Sequence, residues 1–197
     1  MTTLWKRVVL VSVSIPLLTG SIVADEVTDT IKEALEAYKK GEYTQATEDL
    51  TYVIELLKQK KGDNLKNFLP EPLEGWTAEK ATSLTAGSAM LGGGTMVSRT
   101  YHKFKSKITI EMVTDSPMME GIAMMLSNPG FASSDGGKLT RINREKAMIK
   151  YNKEKSSGEI TMVVDKRFMI TVTGKEVSKE ELLDYAKAID IKKLKEI

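Results

Sequence analysis

The chain has no cysteine, a single histidine and an aromatic share of only 6%. Without cysteine there are no disulfides, no thiolate metal centres, no cysteine nucleophile and no lipid-modified cysteine at a processing site. Stability must then come from a buried core, which 197 residues can supply. One histidine, His102, leaves no second imidazole for a typical zinc or haem site. As a general base it would need an orienting carboxylate or a neighbouring nucleophile, so an ordinary surface or hydrogen-bonded role is expected. Few aromatics mean no obvious base-stacking platform. No cofactor is expected.

Long apolar runs are equally scarce. The one at the start, Val8 to Leu18, follows Lys6 and Arg7 and ends at Thr19-Gly20-Ser21, with Ala24 as a small residue before a cleavage point. A membrane-spanning helix needs about 20 apolar residues, so residues 1–24 are expected to be a signal peptide, with an uncleaved membrane tether as the alternative. The expected location is the periplasm or the outside medium. This leader holds two of the 29 basic side chains and no acid, which leaves 27 basic against 27 acidic residues in the remainder. A balanced chain of this kind gives no bulk-charge reason to bind nucleic acid.

Val27, Ile31, Ala34, Leu35 and Tyr38 recur at steps of three and four, which predicts a helix to about Lys40, stopped by Gly41. Tyr43, Ala46, Leu50, Val53, Ile54 and Leu57 repeat the period, so a second helix of roughly 18 residues returns antiparallel after a short turn. The spacing Ala34, Gly41, Tyr43, Ala46, Leu50, Val53 resembles the tetratricopeptide helix hairpin, covers about 25 residues and occurs once. The resemblance implies an interaction module that buries its apolar face on the following domain or on a partner.

The segment after the hairpin (25–62) is polar and lysine-rich and leads into Phe68-Leu69-Pro70-Glu71-Pro72-Leu73-Glu74-Gly75-Trp76. Two prolines one residue apart favour an extended linker, placed at 63–73, and Trp76 is expected to plug the next core. From Thr95 the period becomes two. Strands are predicted at 95–102, 107–114, 139–143, 147–151, 160–164 and 168–173, with Ile108, Ile110, Met112, Phe168, Ile170 and Val172 facing inward. Pro117 can open a short helix to Leu126, and Ser178 with Glu181 forms a capping-box pattern before a closing helix. The fold class is therefore α+β: an N-terminal helical hairpin, then an antiparallel sheet over 74–197 covered by a C-terminal helix. The order of an extended entry, antiparallel sheet, inserted helix and closing helix resembles the PsbP and Mog1 group of folds, which implies a shape and no functional residues.

The chemical motifs are thin. Gly92-Gly93-Gly94 has no strand–loop–helix setting for a phosphate, and Gly136-Gly137-Lys138 lacks the first glycine (Ala132) and the hydroxyl (Leu139) of a Walker loop. Tyr101, Lys103, Phe104, Lys105 and Lys107 read as a solvated turn before a lipid-gripping or polymer-gripping patch. Glu111, Asp115 and Glu120 are close in sequence, but a hydrolytic carboxylate pair is defined by its separation across a cleft. Met118, Met119, Met124 and Met125 crowd the inserted helix. Core packing is the first reading of this cluster, and a pliable surface for an apolar ligand or partner, lined by Met118, Met119, Ile122 and Met125, is the second. Copper binding by the thioethers is the third. The expected function is non-catalytic binding of another envelope protein. Carriage of a small apolar ligand beneath the methionine-rich helix is the alternative, and hydrolysis by dispersed carboxylates the second alternative.

Overall fold

The structure, a computed structural model, describes residues 22–84, 94–116, 118–128 and 136–197, apart from the side chains of 22–25 and 118. The apolar run of the leader lies outside the described residues. Two compact units divide the chain, the first ending at Val53 and the second beginning at Ile54. Among the described residues no helix is long and apolar enough to cross a membrane.

In the first unit α1 (Ile22–Lys40) is followed after two residues by α2 (Tyr43–Lys66), which continues into the second unit. Gly41 ends α1 in the left-handed region at φ 80. From there its amide donates to the Tyr38 carbonyl at 3.0 Å and that of Glu42 to Ala37 at 2.9 Å. Two of the last turn's orphan carbonyls are thereby satisfied by a glycine conformation that costs a side-chain-bearing residue more.

The second helix does not stop near residue 62. It runs 24 residues to Lys66, because the polar stretch still carries an inward side: Leu65 is buried, and Gly62, three residues before it, lies against Ser83 and Thr95. Lys58–Glu55 and Lys66–Asp63 pairs support the outer side at i, i+3 spacing.

The second unit holds a wholly antiparallel sheet. Its strands are β1 (Thr77–Ala78), β2 (Thr82–Leu84), β3 (Thr95–Lys103), β4 (Ser106–Thr114), β5 (Lys138–Ile142), β6 (Glu145–Asn152), β7 (Ser157–Val164) and β8 (Phe168–Lys175). The order is β1-β3-β4-β8-β7-β6-β5, with β2 also pairing β3. After the β3–β4 hairpin, α3 (Met118–Ser127) leads to the far edge, and β5 to β8 meander back until β8 pairs β4. The chain therefore closes its sheet by long-range pairing in the middle, with local hairpins on either side. Asn143 and Arg144 make the two-residue β5–β6 turn, both with positive φ, as a primed hairpin turn requires.

Alternation sorts the strands into two faces. On one, Ile108, Ile110 and Met112 of β4 and Phe168, Ile170 and Val172 of β8 are buried, as their spacing predicts. Over them lie α4 (Lys179–Ala188) and the single turn α5 (Ile191–Leu194), which bury Leu182, Tyr185, Ala186, Ile191 and Leu194. Trp76 plugs this core and meets Tyr185 edge-on at 5.1 Å. On the other face α3 packs on β6 and β7, where Leu126 and Met148 are buried with Ile122, Met125 and Val163 around them. The architecture is thus α+β with an N-terminal pair of helices, an eight-stranded antiparallel sheet and a closing helix.

Candidate functional site

The first unit leaves large apolar side chains in solvent. Ala34 and Ala37 of α1 and Ala46 and Val53 of α2 are buried along the seam, and their small size lets the helices approach closely. The neighbouring line on each helix is left outward: Ile31, Leu35 and Tyr38 are 45%, 51% and 61% exposed, and Tyr43 and Leu50 are 65% and 49% exposed. Steps of four, three and seven put each set on a single stripe. In an antiparallel pair, stripes turned the same way from the seam emerge on the same side. The Tyr38 and Tyr43 rings, 5.9 Å apart, join the two lines at the turn.

Polar contacts brace this surface without covering it. The Tyr52 hydroxyl donates to Glu26 at 2.6 Å, and that carboxylate raises the pKa of the phenol by favouring its protonated form. Lys32 pairs with Asp29 at 2.8 Å and Lys39 with Glu36 at 2.9 Å, each on the exterior of α1.

The methionine-rich helix is distributed differently. Met119 is buried, Ile122 and Met125 are half-buried against Met148 and Val163, and Met124 is exposed. Met118 begins α3, with its side chain outside the described residues. Two of the four candidate residues, Ile122 and Met125, therefore share one packing cluster on the sheet.

The remaining candidate groups are engaged separately. His102 sits on β3 with its Nε2 2.7 Å from Glu79 Oε1. Asp115 takes the Lys61 ammonium at 2.5 Å, while Glu111 stands across from Ser98 and Thr171 in the sheet. Lys103 reaches Glu181 at 3.1 Å and lies 5.8 Å over the Trp76 ring, and Phe104 at the tip of the β3–β4 turn is fully exposed. Gly94 enters β3 against the Thr114 carbonyl, where a Cβ has no room. Gly92 and Gly93 lie outside the described residues. Among the described residues no three His, Asp or Glu side chains are placed to hold a metal ion.

One polar cluster was not anticipated. Arg99 donates through Nη1 to the Pro70 carbonyl at 3.0 Å, through Nε to the Glu79 carbonyl at 3.2 Å, and in a fork to Glu71 at 3.2 and 3.3 Å. The signal lay in strand parity, since Val97, Arg99 and Tyr101 occupy alternate positions of β3 and the first and third are fully buried. The cluster fastens the 70–79 segment to the sheet edge.

Compared with protein-family models, with curated proteins and with solved structures, the chain matches none.

Proposed function

We propose that the protein is a non-catalytic binding protein of the cell envelope, acting on another envelope protein through the outward apolar stripe of its helical hairpin. The supporting observation is that Ile31, Leu35, Tyr38, Tyr43 and Leu50 form a joined line of half-exposed large apolar side chains in a unit whose own seam is closed by alanines. Contiguous exposed apolar surface of this kind carries a free-energy penalty in water that a partner relieves. Two parallel lines on antiparallel helices form a shallow trough suited to the apolar face of an amphipathic helix. Tyrosines at the turn add contact area at little conformational cost and keep a hydroxyl for the rim.

The test is site-specific photo-cross-linking in intact cells, with the reactive group placed at Leu35 or Leu50 and, as a control, at the exposed Lys105 of the β3–β4 turn. A discrete hetero-adduct from the hairpin positions, absent at Lys105 and lost when Tyr38→Asp is combined with either probe, is the expected result. Self-links alone, or equal adducts from all three positions, overturn the reading.

A further inference from the structure

Within the second unit a cleft of about 610 Å³ opens between the last turns of α2, the end of β4 and the start of β8. We propose that this cleft binds a single-chain anionic amphiphile of the free fatty acid type, with the acyl chain on the aromatic floor and the carboxylate at the lysine rim. Nothing in this proposal depends on the hairpin stripe.

The floor is apolar for a structural reason. Leu57, Leu65 and Phe68 follow one face of α2 and its exit, and Phe168 opens β8 opposite Thr114. Leu65 and Phe168 are buried, Phe68 is half-buried and Leu57 is 48% exposed, so the apolar surface grades from closed floor to open lip. A cleft of this size lies within the range of small-molecule sites, which are mostly apolar with a few placed polar groups.

The rim is cationic. Lys60, Lys61 and Arg167 line it against one acid, Asp115. Lys61 is held by Asp115 at 2.5 Å. Arg167 is fixed by Asp165 at 3.0 Å and by main-chain oxygens of Ile197 and Lys195 at 2.5 and 3.2 Å, and its guanidinium lies 5.2 Å from the Phe168 ring centroid. Lys60 has no such partner among the described residues and is exposed at the lip. Asn64 and Asn67 add amide donors beside it. Lys61 and Arg167 are each balanced by their own carboxylate, Asp115 and Asp165, so a carboxylate head meets the one uncommitted ammonium of Lys60 and neutral donors, whereas a cationic head meets repulsion from that ammonium. That charge asymmetry over an apolar floor selects an anionic amphiphile over a neutral or cationic one of equal chain length.

Isothermal titration of the full chain with laurate below its micelle concentration, and with dodecyltrimethylammonium, separates the outcomes. Laurate is expected to bind about tenfold or more tightly than the cationic analogue. Lys60→Glu turns an attraction into a repulsion and is expected to weaken laurate by about tenfold, and Leu57→Asp is expected to weaken it comparably. Both side chains are exposed, so circular dichroism should show an unchanged fold, and the remote Lys105→Glu should leave laurate binding as it was. Equal affinity for the two head groups, no laurate heat, or indifference to both cleft variants overturns the proposal.

Discussion

Gly158 and Gly174 stand opposite each other in the β7–β8 register, and Leu182 of α4 rests on the pair. A Cβ at Gly158 would lie 2.6 Å from the Lys150 carbonyl oxygen and 3.1 Å from Leu182 Cδ2, and one at Gly174 would meet Val177 Cγ2 and sit 3.0 Å from Leu182 Cδ1. The bare backbone at this one cross-strand pair is what lets the closing helix approach the sheet. Gly174→Ala is expected to destabilise the second unit by about 2–3 kcal/mol, the range of core overpacking. Urea unfolding checks this. In the double variant Gly174→Ala/Val177→Ala the cost should fall well short of the two single costs added together, because the alanine at 177 removes the nearest clashing methyl.

The Tyr101 hydroxyl donates to the Pro70 carbonyl at 2.7 Å from a fully buried ring, while Arg99, alternate on the same strand, takes the same carbonyl and Glu71. Arg99→Ala leaves the Pro70 and Glu79 carbonyls without their charged donor and is expected to cost about 2–3 kcal/mol. Glu71→Gln should cost under about 0.5 kcal/mol, since Glu71 is 84% exposed and Arg99 keeps both backbone acceptors. Chemical denaturation of the two variants side by side tests this ordering.

Burial pushes the Tyr101 phenol well above the ordinary tyrosine range. Its folded value therefore exceeds its unfolded one, so its contribution is whole below about pH 10 and is lost as pH rises from there toward the raised folded value. Tyr101→Phe should lower stability at neutral pH by about 1 kcal/mol through the lost hydrogen bond. It should also flatten the alkaline limb of stability against pH. An unchanged alkaline slope in Tyr101→Phe would show that this group is not its source.

The six main strands and the inserted and closing helices were legible because each carries its own period. Ile108, Ile110 and Met112 announce a buried face, and Ser178-x-x-Glu181 announces a helix start. Strands β1 and β2 were not legible. Thr77–Ala78 and Thr82–Leu84 are too short to show alternation, and the segment leading into them is fastened by Arg99 and Tyr101 through contacts made across 20 to 31 residues of sequence. The end of α2 was misplaced for a related reason. Leu65 is a lone apolar residue among lysines, and only the sheet unit it packs against shows that the helix still has an inner side. Spacing grouped Ile31, Leu35 and Tyr38 with Ala34, and Tyr43 and Leu50 with Ala46 and Val53, whereas the structure buries Ala34, Ala46 and Val53 at the seam and leaves the larger side chains outward, because periodicity reports that residues lie on one broad face and not what lies opposite each of them.

At the start of α4 the Ser178 hydroxyl accepts from the Glu181 amide at 3.1 Å, and Glu181 Oε2 accepts from the Ser178 amide at 3.0 Å. That backbone donor, with Lys103 and the Ser178 hydroxyl adding to it, holds the Glu181 carboxyl below the ordinary carboxylate range. A lowered folded pKa gives stability that is present above the unfolded value and lost as pH falls through the folded one. Ser178→Ala should therefore cost about 1 kcal/mol at neutral pH. The difference between wild type and Glu181→Gln should shrink as pH falls through the carboxylate range. Thermal unfolding between neutral and acidic pH reads both.

The hairpin separates stability from binding by residue size at adjacent helical positions. Ala46 faces the seam and is 6% exposed, so Ala46→Leu forces the helices apart and is expected to destabilise the hairpin by about 1–3 kcal/mol. Leu50, on the outward line, is half-exposed, and Leu50→Gln there should alter folding by no more than about 0.5 kcal/mol. Hydrogen exchange of the α1 and α2 amides distinguishes the two, with faster exchange expected in Ala46→Leu alone. If Leu50→Gln also speeds exchange throughout both helices, the outward line contributes to folding of the hairpin itself. The exposed stripe would then lose its meaning as a surface kept apolar for a partner, because its residues would be retained for the helices' own stability.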